Sequence, residues 1–141
     1  MFISSHSFVN KYRLISLSAA LVFGVVGIII LLSPERVIAV FNQLSPMLHL
    51  PISPVEPGVF LRALAAAYMY VVTLIALMMF INPRVVLLPK LLAHAKLASA
   101  GISLYLFVFG EPYLILLTNF VVDGIIGLTA VYLYVKMRRF S

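Results

Sequence analysis

One carboxylate stands inside a run of apolar residues. Asp123 follows Tyr113 by ten positions in a segment, residues 113–135, that is otherwise almost wholly hydrophobic. If the segment is a membrane-spanning helix, ten residues carry the chain about 15 Å into a bilayer core roughly 30 Å thick. Asp123 then lies near the midplane, where a charge costs on the order of 3 kcal/mol by insertion scales. Such a residue must face protein or water. At helical spacing Asn119, Gly127, Ala130 and Tyr134 share its face. The chemistry open to it is proton carriage, cation binding or hydrogen bonding to a ligand; the structural alternative is a staple between helices.

Four other residues bear on that site. Lys96 lies on the neighbouring apolar segment, and its long stem either reaches Asp123 or snorkels to the headgroups. Ser99 and Ser103 follow it at i+3 and i+7 and extend a polar stripe on one face. Tyr70, on a third segment, is placed near the depth of Asp123, so the geometry allows a Tyr–Asp hydrogen bond.

Two further groups are candidates for other roles. His94 is turned about 200° from Lys96 on a helix, so the two cannot both face a bundle centre. It shares its face with Ala98, Gly101 and Tyr105. His94 and Tyr105 would suit a quinone or a haem. His6 and His49 lie outside the apolar segments, so a haem would have to be shared with a partner subunit. Arg62 precedes an alanine-rich run and follows Glu56 by six residues, which suggests an ion pair or a lipid-phosphate contact at the membrane edge. No residue set is assigned to catalysis or to a metal, no bound cofactor is expected, and the reading favours a protein that is not an enzyme.

The elements that position these side chains follow from composition. The chain has 141 residues, of which 64% are hydrophobic and 10% charged, with a mean hydropathy of +1.17. A soluble domain is nearer half apolar and a quarter charged, and a small one leaves much of its surface in water. Composition therefore excludes a soluble enzyme, a nucleic-acid-binding domain and a disordered chain. No Cys is present, which removes disulfides, thiol catalysis and Cys-ligated zinc or iron–sulfur centres. The phosphate-binding, dinucleotide-binding, zinc-protease and hydrolase motifs are all missing.

Four windows are long and apolar enough to span a bilayer: residues 14–32, 61–81, 91–109 and 113–135. The first exceeds the 7–15 residues usual for a signal-peptide core and lacks a small-residue cleavage pattern, so it is read as a retained span. The expected fold is an all-α bundle of four transmembrane helices in a single domain. Eight basic residues (Lys11, Arg13, Arg84, Lys90, Lys96, Lys136, Arg138, Arg139) fall on one side with no acidic residue. By the positive-inside rule both termini are expected in the cytoplasm, in a membrane such as the bacterial inner membrane. Residues 33–60 form the one long connection, on the outer side. It opens Ser33-Pro34-Glu35, a helix-start pattern, and Val37, Val40, Phe41 and Leu44 recur at helical spacing. A short interfacial helix is expected there, followed by an extended stretch through Pro46, Pro51, Pro54 and Pro57. Gly110-Glu111-Pro112 is so short that spans three and four must form an antiparallel hairpin.

The layout resembles small four-helix membrane proteins of the DoxX-like type. The features that carry the resemblance are Leu31-Leu32-Ser33-Pro34-Glu35-Arg36 after the first span, the opening Phe60-Leu61-Arg62-Ala63-Leu64-Ala65 of the second, a basic turn before the third, and a fourth span with Asp123 and a basic end. The resemblance implies a place beside redox enzymes or in membrane stress responses. Few extramembrane residues exist to bind substrates, so the leading expectation is a non-catalytic accessory or anchor subunit of a larger membrane assembly, such as a redox one, in contact with lipid and with other subunits or copies of itself. The small-residue faces Gly24/Gly27, Ala63–Ala67 and Gly124/Gly127 would suit such helix partners. From the residues alone, the alternative is a small transporter or ion- or lipid-handling protein working through Asp123. A redox subunit using His94 is a further one.

Overall fold

The computed structural model describes residues 3–55 and 58–139, with side chains from residue 7 onward. Its elements are α1 (Ile3–Leu32), α2 (Pro34–Leu44), a 3-10 turn (Ser45–Leu48), α3 (Val59–Ile81), α4 (Leu87–Phe109) and α5 (Leu114–Arg138). Four of them, α1, α3, α4 and α5, are long and apolar enough to cross a membrane. At 1.5 Å per residue, a helix of 23 residues is about 35 Å long, enough for the hydrocarbon core. The chain is an all-α membrane protein with a four-helix bundle.

The spans are longer than the apolar windows at four places; α3 gains only two residues, from Val59, and the other three extensions each have a local reason. In α1 the segment before residue 14 holds neither Gly nor Pro, so nothing stops the helix, and Tyr12 is fully buried in the core. α4 starts at Leu87, before Pro89; a proline in the first turn forfeits no intrahelical bond, because the first N–H groups of a helix have no partner. α5 runs on to Arg138, with Lys136 and Arg138 in its last turn, where cations meet the negative end of the helix dipole.

Packing follows a seam of nearly heptad spacing on each helix. Tyr12, Ser16, Ala20 and Phe23 form it on α1; Met69, Val72, Ala76 and Met79 on α3; Leu92, Lys96, Ala100 and Ser103 on α4; Asp123, Gly127, Ala130 and Met137 on α5. The helices associate chiefly as two pairs, α1 with α3 and α4 with α5, joined by a lighter α3–α4 contact. The α4–α5 pair is the expected hairpin. Its turn needs Gly110: a Cβ there would stand 2.7 Å from the Leu106 carbonyl oxygen. At the C-terminal end of α3, Arg13 donates from Nε to the Phe80 carbonyl at 3.2 Å and lies 4.8 Å from the Phe80 ring centroid.

The connection after α1 forms the expected short helix, with two corrections. Ser33 occupies the N-cap position but makes no side-chain cap. Val40 and Leu44 are exposed, whereas Pro34, Val37, Ile38 and Phe41 are on the covered side of α2, which packs on the ends of α1 and α5. The phase is set by that docking rather than by the apolar count. The expected extended stretch does not begin at Pro46, which sits in the 3-10 turn Ser45–Leu48; beyond it the chain is irregular, and Asn42 clamps it: its Nδ2 donates to the Ser53 carbonyl at 2.8 Å and its Oδ1 accepts from Ser53 N–H at 2.9 Å. Glu56 and the His6 side chain lie outside the described residues. The expected Arg62–Glu56 pair therefore lies outside the described residues; among these, Arg62 Nη2 bonds Glu35 Oε1 at 2.5 Å, tying α3 to α2.

Candidate intramembrane polar site

The seams of α4 and α5 meet at Lys96 and Asp123. Lys96 Nζ lies 2.9 Å from Asp123 Oδ1, and the two side chains are only 3% and 5% exposed. Close approach of the helices makes this contact. Gly127, one turn past Asp123, faces Leu97, next to Lys96; a Cβ on Gly127 would come within 2.8 Å of the Leu97 side chain and 3.2 Å of its backbone nitrogen. Lys96 is therefore not snorkelling, and it drops out of the topological count. Each charge neutralises the other, which offsets part of the cost of holding either inside a membrane.

The remaining surroundings of the ammonium come from the other helix pair. The Phe23 ring of α1 lies 4.5 Å and the Tyr68 ring of α3 lies 5.2 Å from Nζ. Both ring faces attract a cation, more strongly where water is excluded. Tyr68 is itself held by a hydrogen bond from its hydroxyl to the Ala95 carbonyl, at 3.1 Å. One turn toward the α2 end of the bundle, Asn119 Nδ2 donates to Ser103 Oγ at 2.7 Å and Ser99 Oγ at 3.2 Å.

Of the residues expected at this site, Asp123, Asn119, Lys96, Ser99 and Ser103 come together. Tyr70 does not. It is 67% exposed and borders an apolar groove between α1 and α3 instead. Its place is taken by Tyr68, which sequence reasoning passed over. Two residues rotate a helix by about 200°, so only one of the two tyrosines can face inward. The seam Met69–Val72–Ala76–Met79 would have chosen Tyr68, but α3 is apolar on every side and its phase is not marked.

His94, Ala98, Gly101 and Tyr105 share the exposed side of α4. His94 Nδ1 is 2.7 Å from the Lys90 carbonyl, so Nδ1 carries the proton and Nε2 is the nitrogen left for a ligand. Tyr105 packs on Phe109 with ring centroids 5.2 Å apart. Neither lies near the Lys96–Asp123 pair. Among the described residues, no three His, Asp or Glu side chains gather as a metal site would require.

The polar residues do not fill their surroundings. A cavity of about 330 Å³ lies between the two helix pairs, bounded by Lys96, Asp123, Asn119, Ser99 and Tyr68 on its polar side and by Phe23, Val26, Ile30, Ala65 and Val122 among its apolar walls. Arranged this way, the site offers a cation, a carboxylate and an amide to one small volume inside a hydrocarbon environment. It suits binding or exchange of a hydrogen-bonding group rather than bond cleavage. No protein-family model, no curated protein and no solved structure matches this chain.

Proposed function

We propose that this protein is a small ion- or lipid-handling membrane protein that works through Asp123 with Lys96. One observation carries the reading: the buried ion pair borders a cavity. A pair serving only to staple two helices has no use for open volume beside it, since membrane helices associate by close packing. A cavity with apolar walls and a few convergent polar groups is the usual form of a small-molecule site.

The test is retention of a bound species through mild-detergent purification, read by native mass spectrometry and by extraction. The wild-type protein is expected to carry one, and Asp123→Asn to lose it. The double variant Lys96→Met/Asp123→Asn removes both charges together, keeps the fold and is expected to lose it as well. Equal retention by the double variant would confine the pair to a structural role.

The accessory or anchor reading keeps one supporting observation. A Cβ added to Gly101 or Gly124 would meet nothing within 4 Å, and with Ala100 these glycines border an open groove between α4 and α5. A partner helix would fit there, in line with the DoxX-like layout. By contrast Gly27 and Gly127 are consumed inside the chain, the first against Met69. Co-migration with other subunits in mild detergent supports this role, and a stable lone monomer counts against it. A quinone or haem shared through His94 is a third reading, tested by absorption spectroscopy of the purified protein. For all three we place the termini in the cytoplasm of a bacterial inner membrane, on the basic residues other than Lys96 that gather at that end.

A further inference from the structure

The cavity is closed at one end and open along one side. Toward the end of the bundle that holds the termini, the core is packed: Tyr12, Ala76, Met79, Leu92, Leu133 and Met137 are all buried. Toward the α2 end the same four helices leave the cavity. Its wall also reaches the outside of the bundle between α1 and α5, because Val22, Val26 and Val122 line it and are exposed as well. From there a furrow of about 270 Å³ runs on between α1 and α5, over Ala19, Ile125 and Thr129. Val22, Phe23 and Ile126 border both the cavity and the furrow. A polar recess is thus continuous with an apolar channel on the lipid-facing surface.

Resting on the binding role argued above, we propose that the α1–α5 cleft holds a single-tailed, uncharged amphiphile. Its hydroxyl head meets Lys96, Asp123 and Asn119, and its tail lies along the furrow. The walls specify the tail: a water-borne solute would cross a passage mostly of Val, Ile, Ala and Phe, in which the Thr129 hydroxyl already donates to the Ile125 carbonyl and Ser18 is the other polar side chain. Charge specifies the head. Lys96 and Asp123 already neutralise each other, so a charged head would leave an uncompensated charge buried in the site. A neutral hydroxyl, which both donates and accepts, can donate to the Asp123 carboxylate or to Asn119 Oδ1 and accept from Lys96 Nζ without that cost, the Asn119 amide hydrogens being held by Ser99 and Ser103. A furrow of about 270 Å³ suits one chain rather than two.

The experiment uses the full-length protein in vesicles with a monoacylglycerol carrying a diazirine in its tail. Labelling is expected to concentrate on α1 and α5 peptides around Val22, Val122 and Ile126, and unlabelled monoacylglycerol should compete for it. Val122→Phe fills the mouth of the cleft from an exposed position and needs no core space; it is expected to lower labelling about tenfold, the ratio that ~1.4 kcal/mol of lost binding produces. A diazirine phosphatidylglycerol should label the lipid-facing helices without preference and without response to Val122→Phe. Even labelling by the monoacylglycerol, unchanged in the variant, overturns the proposal. If Asp123-dependent retention of a native species persists in that case, the binding role stands and the occupant is a water-borne solute.

Discussion

Lys96 Nζ and Asp123 Oδ1 stand 2.9 Å apart across the α4–α5 hairpin, both side chains nearly inaccessible. Each charge is tolerable there because of the other. Lys96→Met or Asp123→Asn alone is expected to cost about 3–5 kcal/mol, since either leaves an unpaired buried charge. The double variant should recover most of that loss. Unfolding in mixed detergent–SDS micelles, read by circular dichroism, gives the cycle; additive single effects would mean that the pair is not coupled.

The two tyrosines of α3 separate by orientation. Tyr68 donates to the Ala95 carbonyl, so Tyr68→Phe should lose about 1 kcal/mol, the usual net worth of one hydrogen bond. Tyr70→Phe, at an exposed position, should stay within ~0.5 kcal/mol of wild type. The same unfolding measurement decides, and a reversed order would place the wrong face of α3 inward.

Glycines on α5 make a matched contrast. Gly127 has Leu97 against it, while Gly124 has open space. Gly127→Val should push α4 and α5 apart and cost about 1–3 kcal/mol, as overpacking does; Gly124→Val should be near neutral, within ~0.5 kcal/mol. Because Gly127 lies one turn from Asp123, its variant should also release any species held beside the ion pair, which native mass spectrometry would register.

The segment after α1 rests on two polar ties. The Glu35–Arg62 pair is partly exposed, so Glu35→Gln should cost only about 0.2–1 kcal/mol and less at high salt. Asn42→Ala removes both bonds to Ser53. Limited proteolysis of the stretch after Ser45 is expected to speed up strongly in Asn42→Ala and only slightly in Glu35→Gln. Equal rates in wild type and Asn42→Ala would show that the clamp does not order the loop.

Much of this arrangement was legible in the residues. Apolar run lengths specified four spans, because a hydrocarbon core demands about 20 residues and admits only backbone that satisfies itself. The helical repeat put Asn119, Gly127 and Ala130 with Asp123, and Ser99 and Ser103 with Lys96, since relative positions on one helix are fixed by its 3.6-residue turn. The same repeat set His94 and Tyr105 on the opposite side of α4 from Lys96. Relations between helices were another matter. Nothing local distinguishes Tyr68 from Tyr70 on a helix apolar all round, and docking alone turned Tyr68 inward. Arg62 found Glu35, far back along the chain, because α2 folds back over the bundle end. Lys96 could read as a snorkelling charge until Gly127 let α4 close on α5. The cavity itself is a property of the packing: it is the space left beside Lys96 and Asp123 where the α1–α3 pair meets the α4–α5 pair, and no single segment encodes the space left between others.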